Sequence, residues 1–149
     1  EIDTLEGKQH IETHTIIWAA GVRASSLGRN LAEQTGAVLD RGGRLTVNPN
    51  LTLPHHPEIF VLGDLAMCKG PDGKALPGVC PVAMQQGRYA ARVIAGRLDG
   101  RAAGDFAYWD KGNMATIGRN KAVADLGRIR MDGFLAWLAW LFIHLLYIV

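Results

Sequence analysis

Glu58-Ile59-Phe60-Val61-Leu62-Gly63-Asp64-Leu65-Ala66 is the stretch whose reading decides the fold. Ile59 to Leu62 is an unbroken apolar run, the pattern of a short strand covered on both faces, as in a parallel sheet. Gly63 then removes the side chain where the backbone would approach a neighbour closely. Asp64 follows at the carboxyl end of that strand, where open α/β sheets receive their ligands. A Gly-Asp turn that only ends a strand would read the same way, so both readings stand on these residues.

Working outward, the rest of the chain supplies the context. Upstream, Thr15-Ile16-Ile17-Trp18-Ala19-Ala20 forms a second apolar, β-branched strand candidate, ended by Gly21. Ala19, Ala20 and Gly21 are all small, which leaves room at that turn for a ligand or another backbone. Residues Glu1 to His14 are polar, with Gln9 to Thr13 as a hairpin edge. A short helix is expected to Thr35, with Ser25 or Ser26 as cap and Gly36 as stop. Arg41-Gly42-Gly43-Arg44 is a turn before a short strand, Leu45-Thr46-Val47. Asn48 to Pro57 is an extended, proline-rich loop.

Downstream, Pro71-Asp72-Gly73-Lys74 marks a turn, and Pro81 suits the start of a helix running to Arg97. Ala83, Gly87, Ala91 and Ala95 give that helix a narrow stripe of small residues. Its first N–H groups, those of Val82 and Ala83, are expected to be free at the positive end of the helix dipole, where they suit an anion or an electron-rich carbonyl. Gly100 to Asp105 is a linker. From Phe106 to Met131 alternating apolar residues broken by Gly118 and Gly127 predict a small antiparallel sheet, with Lys111-Gly112 at one of its turns. Gly133 to Val149 is an apolar helix with no polar face. A buried core helix, a membrane-surface helix and a true span are its options, and Trp137, Trp140 and Tyr147, with Arg128 and Arg130 just upstream, favour surface attachment with partial burial.

Composition sets outer limits. The chain has 149 residues, and Lys+Arg 16 against Asp+Glu 14 leaves it without the basic footprint of a nucleic-acid binder. Cys68 and Cys80 are the only cysteines, and a reduced, cytoplasmic setting is the simpler reading of them. The five histidines make no ligand spacing with those cysteines, so no metal site is expected. The chain opens on Glu1 and stops at Val149 inside an apolar run, which reads as a piece of a longer protein.

The order Trp18-Ala19-Ala20-Gly21-Val22, Phe60-Val61-Leu62-Gly63-Asp64 and Pro81-Val82-Ala83-Met84-Gln85-Gln86-Gly87 resembles the pyridine nucleotide–disulfide reductase-like flavoproteins. Asp110-Lys111-Gly112-Asn113-Met114-Ala115-Thr116-Ile117-Gly118 and the run Trp137 to Leu145 look like type II NADH dehydrogenase, the non-pumping NADH:quinone oxidoreductase. The resemblance implies an α/β fragment: the closing half of a Rossmann-type FAD-binding domain, then a small antiparallel sheet and a C-terminal apolar helix. Residues 1–14 would be the tail of an NADH-binding domain, 15–100 the C-terminal half of the FAD domain, and 106–149 a membrane-attaching domain. Neither G-x-G-x-x-G fingerprint is present.

The resemblance further implies FAD as cofactor, NADH as substrate, a quinone as partner, and a peripheral position on the cytoplasmic face of the inner (plasma) membrane. Gly21, Gly63, Asp64, Val82 and Ala83 would be on the flavin side, with Asp64 accepting a ribitol hydroxyl. Gln85, Gln86 and Lys111 would be catalytic, and Gln85, Lys111 and Met114 would face the quinone. Cys80-Pro81 stands where many relatives carry an Ala-Gln pair. The alternatives are a sulfide:quinone oxidoreductase-like enzyme using Cys68 and Cys80, or a membrane-docking module without redox chemistry. Unpaired sheet edges and the apolar end also suit a homo-oligomer.

Overall fold

A computed structural model describes residues 2–4, 7–17, 19 and 21–148. They form two compact units, 1–106 and 107–149. In the first unit, strands β1 (Ile2–Thr4) and β2 (Gly7–Gln9) pair as an antiparallel hairpin. Helix α1 (Ser26–Thr35) starts where the sequence predicts: Ser25 Oγ accepts the N–H of Leu27 at 3.3 Å. It stops at Gly36, whose φ of 70° is the left-handed turn that glycine adopts without strain. Asp40 builds the next turn by accepting the N–H groups of Gly42 and Arg44 at 2.8 and 2.9 Å.

The strands that follow are short. β3 (Leu45–Thr46) pairs in parallel with β6 (Ala66–Met67), while β4 (Thr52–Leu53) and β5 (His56–Phe60) form an antiparallel hairpin. The long helix α2 (Cys80–Leu98) closes the unit, with Val79 as N-cap. Leu45, Leu53, Val61 and Ala66 form one buried cluster; Leu51, Cys68, Tyr89 and Val93 form a second beneath α2. Leu45, Leu51 and Leu53 are each 0% exposed. Burial of each is worth about 1.5–3 kcal/mol.

Three expectations are corrected here. Ile59–Leu62 is not a parallel strand: the strand ends at Phe60 and pairs antiparallel with Thr52–Leu53, after which Val61 N–H reaches Leu51 O at 3.0 Å. Pro54 and His55, the latter at φ 64°, let the chain fold straight back, and so local a ladder closes at a small entropic cost. The loop expected over residues 48–57 therefore contains β4. Second, Thr15, Ile16, Ile17 and Ala19 are not in a strand, and Ile16 and Ile17 are 82% and 84% exposed. No partner strand stands beside them among the described residues, and an unpaired strand is not held. Trp18 and Ala20 of that run lie outside the described residues, as do Glu1 and Val149. Third, Cys80 rather than Pro81 takes the first position of α2.

The second unit matches its reading more closely. β7 (Asn113–Gly118), β8 (Lys121–Asp125) and β9 (Arg130–Asp132) form an antiparallel sheet in that order. Asn120, at φ 57°, completes the two-residue turn between β7 and β8, a conformation asparagine tolerates. Phe106 and Tyr108, expected within the sheet, precede it as irregular chain. Helix α3 (Gly133–Ile148) covers one face. There Ala122, Ala124 and Ala136 are small enough for helix and sheet to touch, and Met114, Met131, Trp137 and Trp140 pack around them.

The outer side of α3 stays apolar and open: Leu135, Phe142 and Leu146 are 71%, 63% and 60% exposed. Its 16 residues extend about 24 Å, short of a hydrocarbon core of about 30 Å. Among the described residues no helix is long and apolar enough to cross a membrane. His144 is exposed and donates from Nδ1 to Trp140 O at 2.7 Å.

Candidate functional site

In the first unit the Gly63–Leu65 segment is a single 3-10 turn packed against the start of α2. Gly63 has φ 62°, and a Cβ built on it would stand 3.4 Å from Cβ of Ala83. Its N–H donates to Oε1 of Gln86 at 2.7 Å. Asp64 follows, exposed, and its carboxylate has no hydrogen-bond partner among the described residues. Gly78 flanks it so closely that an added Cβ would lie 3.1 Å from Asp64 Oδ1.

Asp64 lines a cleft of about 790 Å³ together with Val22, Arg23, Ser25, Arg41 and Gly78. Arg44 also reaches this cleft, but Asp40 holds it: Nε donates to Oδ2 at 2.7 Å. Burial would raise the Asp40 carboxyl, yet the backbone and guanidinium bonds from Arg44 and the N–H of Gly42 outweigh it and keep the group below its ordinary value. The cleft thus offers an open carboxylate for hydroxyl donors and the guanidinium groups of Arg23 and Arg41 for negative charge. That combination fits a polyhydroxylated, phosphate-bearing ligand.

The structure brings Gly63, Asp64, Ala83 and Gln86 together, but it changes what some of them can do. The N–H groups of Val82 and Ala83, expected to be free, both donate to Val79 O, at 3.0 and 3.3 Å. Their distance from the helix start explains this: with Val79 as N-cap they are the third and fourth helical residues, already within reach of its carbonyl. Val82 is also buried. Gln86, expected to be catalytic, is 1% exposed and spent on Gly63. Gln85, its neighbour, is half-buried.

Gly21 sits in exposed chain with nothing within 4 Å of an added Cβ, so neither packing nor torsion requires glycine there. The remaining site residues belong to the second unit. The Lys111 ammonium lies 5.3 Å from the centre of the Trp109 ring. Gly112 N–H donates to Asp110 Oδ1 at 2.8 Å, so Asp110 to Gly112 is the turn into β7 rather than one between strands. Met114 is half-buried and joins Ala124, Asp125, Arg130 and Met131 around an open groove of about 580 Å³.

The sequence reading missed Gly78, Arg23, Arg41 and the inward turn of Gln86. Pro77-Gly78 is a turn signal that could have been read, and Arg23 stands two residues past Gly21, the end of the small-residue stretch. No spacing rule pairs Gly63 with a side chain 23 residues on. Of the two cysteines, Cys68 is 5% exposed and burial pushes its thiol up, while Cys80 is exposed; both are free.

The sequence pattern of the pyridine nucleotide-disulphide oxidoreductase family matches residues 2–87. The chain is 44% identical over 144 residues to the type II NADH:quinone oxidoreductase Ndh of Mycobacterium tuberculosis, covering 95% of this chain and 30% of that protein. It is 38% identical over 117 residues to the type II NADH:quinone oxidoreductase of Staphylococcus haemolyticus, covering 78% of this chain and 28% of that one. It is 33% identical over 143 residues to the internal alternative NAD(P)H-ubiquinone oxidoreductase A1, mitochondrial, of Arabidopsis thaliana, covering 84% and 27%. The chain spans about 30% of the length of the curated relatives it matches.

Proposed function

The chain belongs to the pyridine nucleotide-disulphide oxidoreductase family, and from that premise we propose that it is the C-terminal portion of an FAD-dependent NADH:quinone oxidoreductase. Residues 15–100 would be the closing half of a Rossmann-type FAD domain and 106–149 a domain that seats on a membrane surface. The observation that carries this reading is the pairing of an open Asp64 carboxylate with Arg23 and Arg41 in one cleft, beside the start of a 19-residue helix. FAD bears ribityl hydroxyls for the first and phosphates for the second.

Asp64 would accept a ribityl hydroxyl, with Gly63 and Gly78 keeping the approach clear of side chains. The start of α2 would act through its dipole, since the N–H groups of Val82 and Ala83 are already engaged. A bound FAD supplies the chemistry of accepting a hydride from NADH and delivering two electrons to a quinone. Around the quinone, the Lys111 ammonium would donate to a carbonyl oxygen and Met114 would pack on its ring. The exposed apolar side of α3 would let that lipid-soluble substrate be collected from the membrane, on its cytoplasmic face.

The reading is tested by purifying the full-length protein. It should be yellow, with FAD at close to one per chain, and should reduce a quinone with NADH. A colourless, catalytically silent preparation overturns it. The chain of 149 residues alone should show no turnover. A sulfur-carrying mechanism on Cys68 and Cys80 is not favoured, because burial works against the thiolate of Cys68 that such chemistry needs. Replacing both cysteines by serine should leave NADH:quinone turnover intact.

A further inference from the structure

Gly63 opens its 3-10 turn at φ 62°, and Leu62, the residue that would cap it, supplies no side-chain bond. The N–H is met instead from 23 residues along the chain, by Oε1 of Gln86 at 2.7 Å. Gln86 is 1% exposed, so its carboxamide is held out of water and has this N–H as its partner. Ala83, three residues earlier on α2, meets the same glycine from beside it, 3.4 Å from where a Cβ would be. The turn is therefore held at two points by one helix. A glycine left to itself ranges over both halves of φ/ψ space, and each change at Gly63 would swing the next residue, Asp64.

We infer that Gln86 is a positioning residue: its buried carboxamide locks the Gly63 turn and so fixes the direction in which Asp64 projects into the cleft. A buried side chain on a long helix suits the task, because the helix restricts χ1 and burial leaves the carboxamide little room to drift. An acceptor is what the position needs. Methionine would keep the volume of glutamine and lose the bond; glutamate would keep an acceptor at the same reach. The lock follows from the geometry alone, while its consequence for a ligand rests on the flavin reading above.

The test is amide hydrogen exchange at Gly63 in the full-length protein stripped of FAD, together with the flavin content and flavin absorbance band of the same protein when loaded. In the unsubstituted protein the Gly63 amide should exchange as slowly as the amides within α2. Gln86→Met should speed that exchange by about tenfold or more, the effect of losing one buried bond, and Gln86→Glu should hold it within a few-fold. Flavin content should follow the same order, lowest in Gln86→Met, with its absorbance band displaced. Fast exchange at Gly63 in the unsubstituted protein overturns the lock, and needs no variant to fold. Equal exchange in Gln86→Met also overturns it. If exchange responds as expected while flavin content stays level in every variant, the lock stands and the flavin reading of the cleft fails.

Discussion

Gly112 and Asp125 meet backbone to backbone: a Cβ placed on Gly112 would overlap the carbonyl oxygen of Asp125 and crowd Cα of Leu126. Gly112 also has φ 89°, a conformation other residues adopt only with strain. This contact is what brings the Lys111 turn onto the sheet.

Gly112→Ala should therefore destabilise the second unit by about 2–4 kcal/mol, from steric overlap and left-handed strain together. Chemical unfolding followed by tryptophan fluorescence reads it directly, because Trp137 and Trp140 pack in that unit. A midpoint unchanged within error would mean the Asp125 strand end moves freely aside.

Asp64→Ala should leave the fold almost untouched, since the carboxylate is exposed and bonds to nothing among the described residues. In the full-length protein it should lower FAD affinity by about tenfold or more, the loss of one charge-assisted hydrogen bond. Flavin content after gel filtration measures this. Normal loading at an unchanged unfolding temperature would remove Asp64 from the site.

Lys111→Ala should slow reoxidation of the flavin by quinone by at least about tenfold, while reduction by NADH proceeds at its usual rate. Stopped-flow absorbance separates the two half-reactions. The structural cost should be small, because stacking of an exposed ammonium on Trp109 is worth only about 0.5–1 kcal/mol. Equal slowing of both halves would place Lys111 off the quinone side.

Asp40 predicts an acid sensitivity with a definite sign. Its carboxyl is held below its ordinary value of 3.8, so the ionised form is favoured by folding. That contribution is complete above about pH 4 and disappears as pH falls through the lower value of the folded state. Asp40→Asn should thus cost about 1 kcal/mol at pH 7 and much less at pH 2–3. Urea titrations at the two pH values decide it; a penalty that grows with acidity contradicts the assignment.

Local physics made much of this protein legible. Ser25 and Gly36 bound α1 because a cap oxygen and a left-handed glycine act within a few residues of where they stand. α2 and the small antiparallel sheet followed from periodicity, since a helix stripe and the alternation of Ala122 and Ala124 are written in consecutive residues, and α3 followed from its unbroken apolar run. The run Gly63-Asp64 stood out as a glycine and a carboxylate after an apolar run, a pattern that a plain turn shares.

What the sequence by itself determined, then, was the existence of the three helices, the caps of α1 and the small antiparallel sheet. The tertiary structure decided partners. Ile59 to Leu62 reads as a parallel strand, yet Pro54 and His55 turn it onto Thr52–Leu53 instead, and only a pairing partner distinguishes those ladders. Gln85 and Gln86 are adjacent and chemically identical, but α2 turns Gln86 inward to Gly63 and leaves Gln85 half-buried. The N–H groups of Val82 and Ala83 read as free donors, yet the carbonyl of Val79, the N-cap, takes both. In each case the deciding quantity is a distance between groups far apart in the chain or a direction set by packing, and neither is carried by spacing along the sequence.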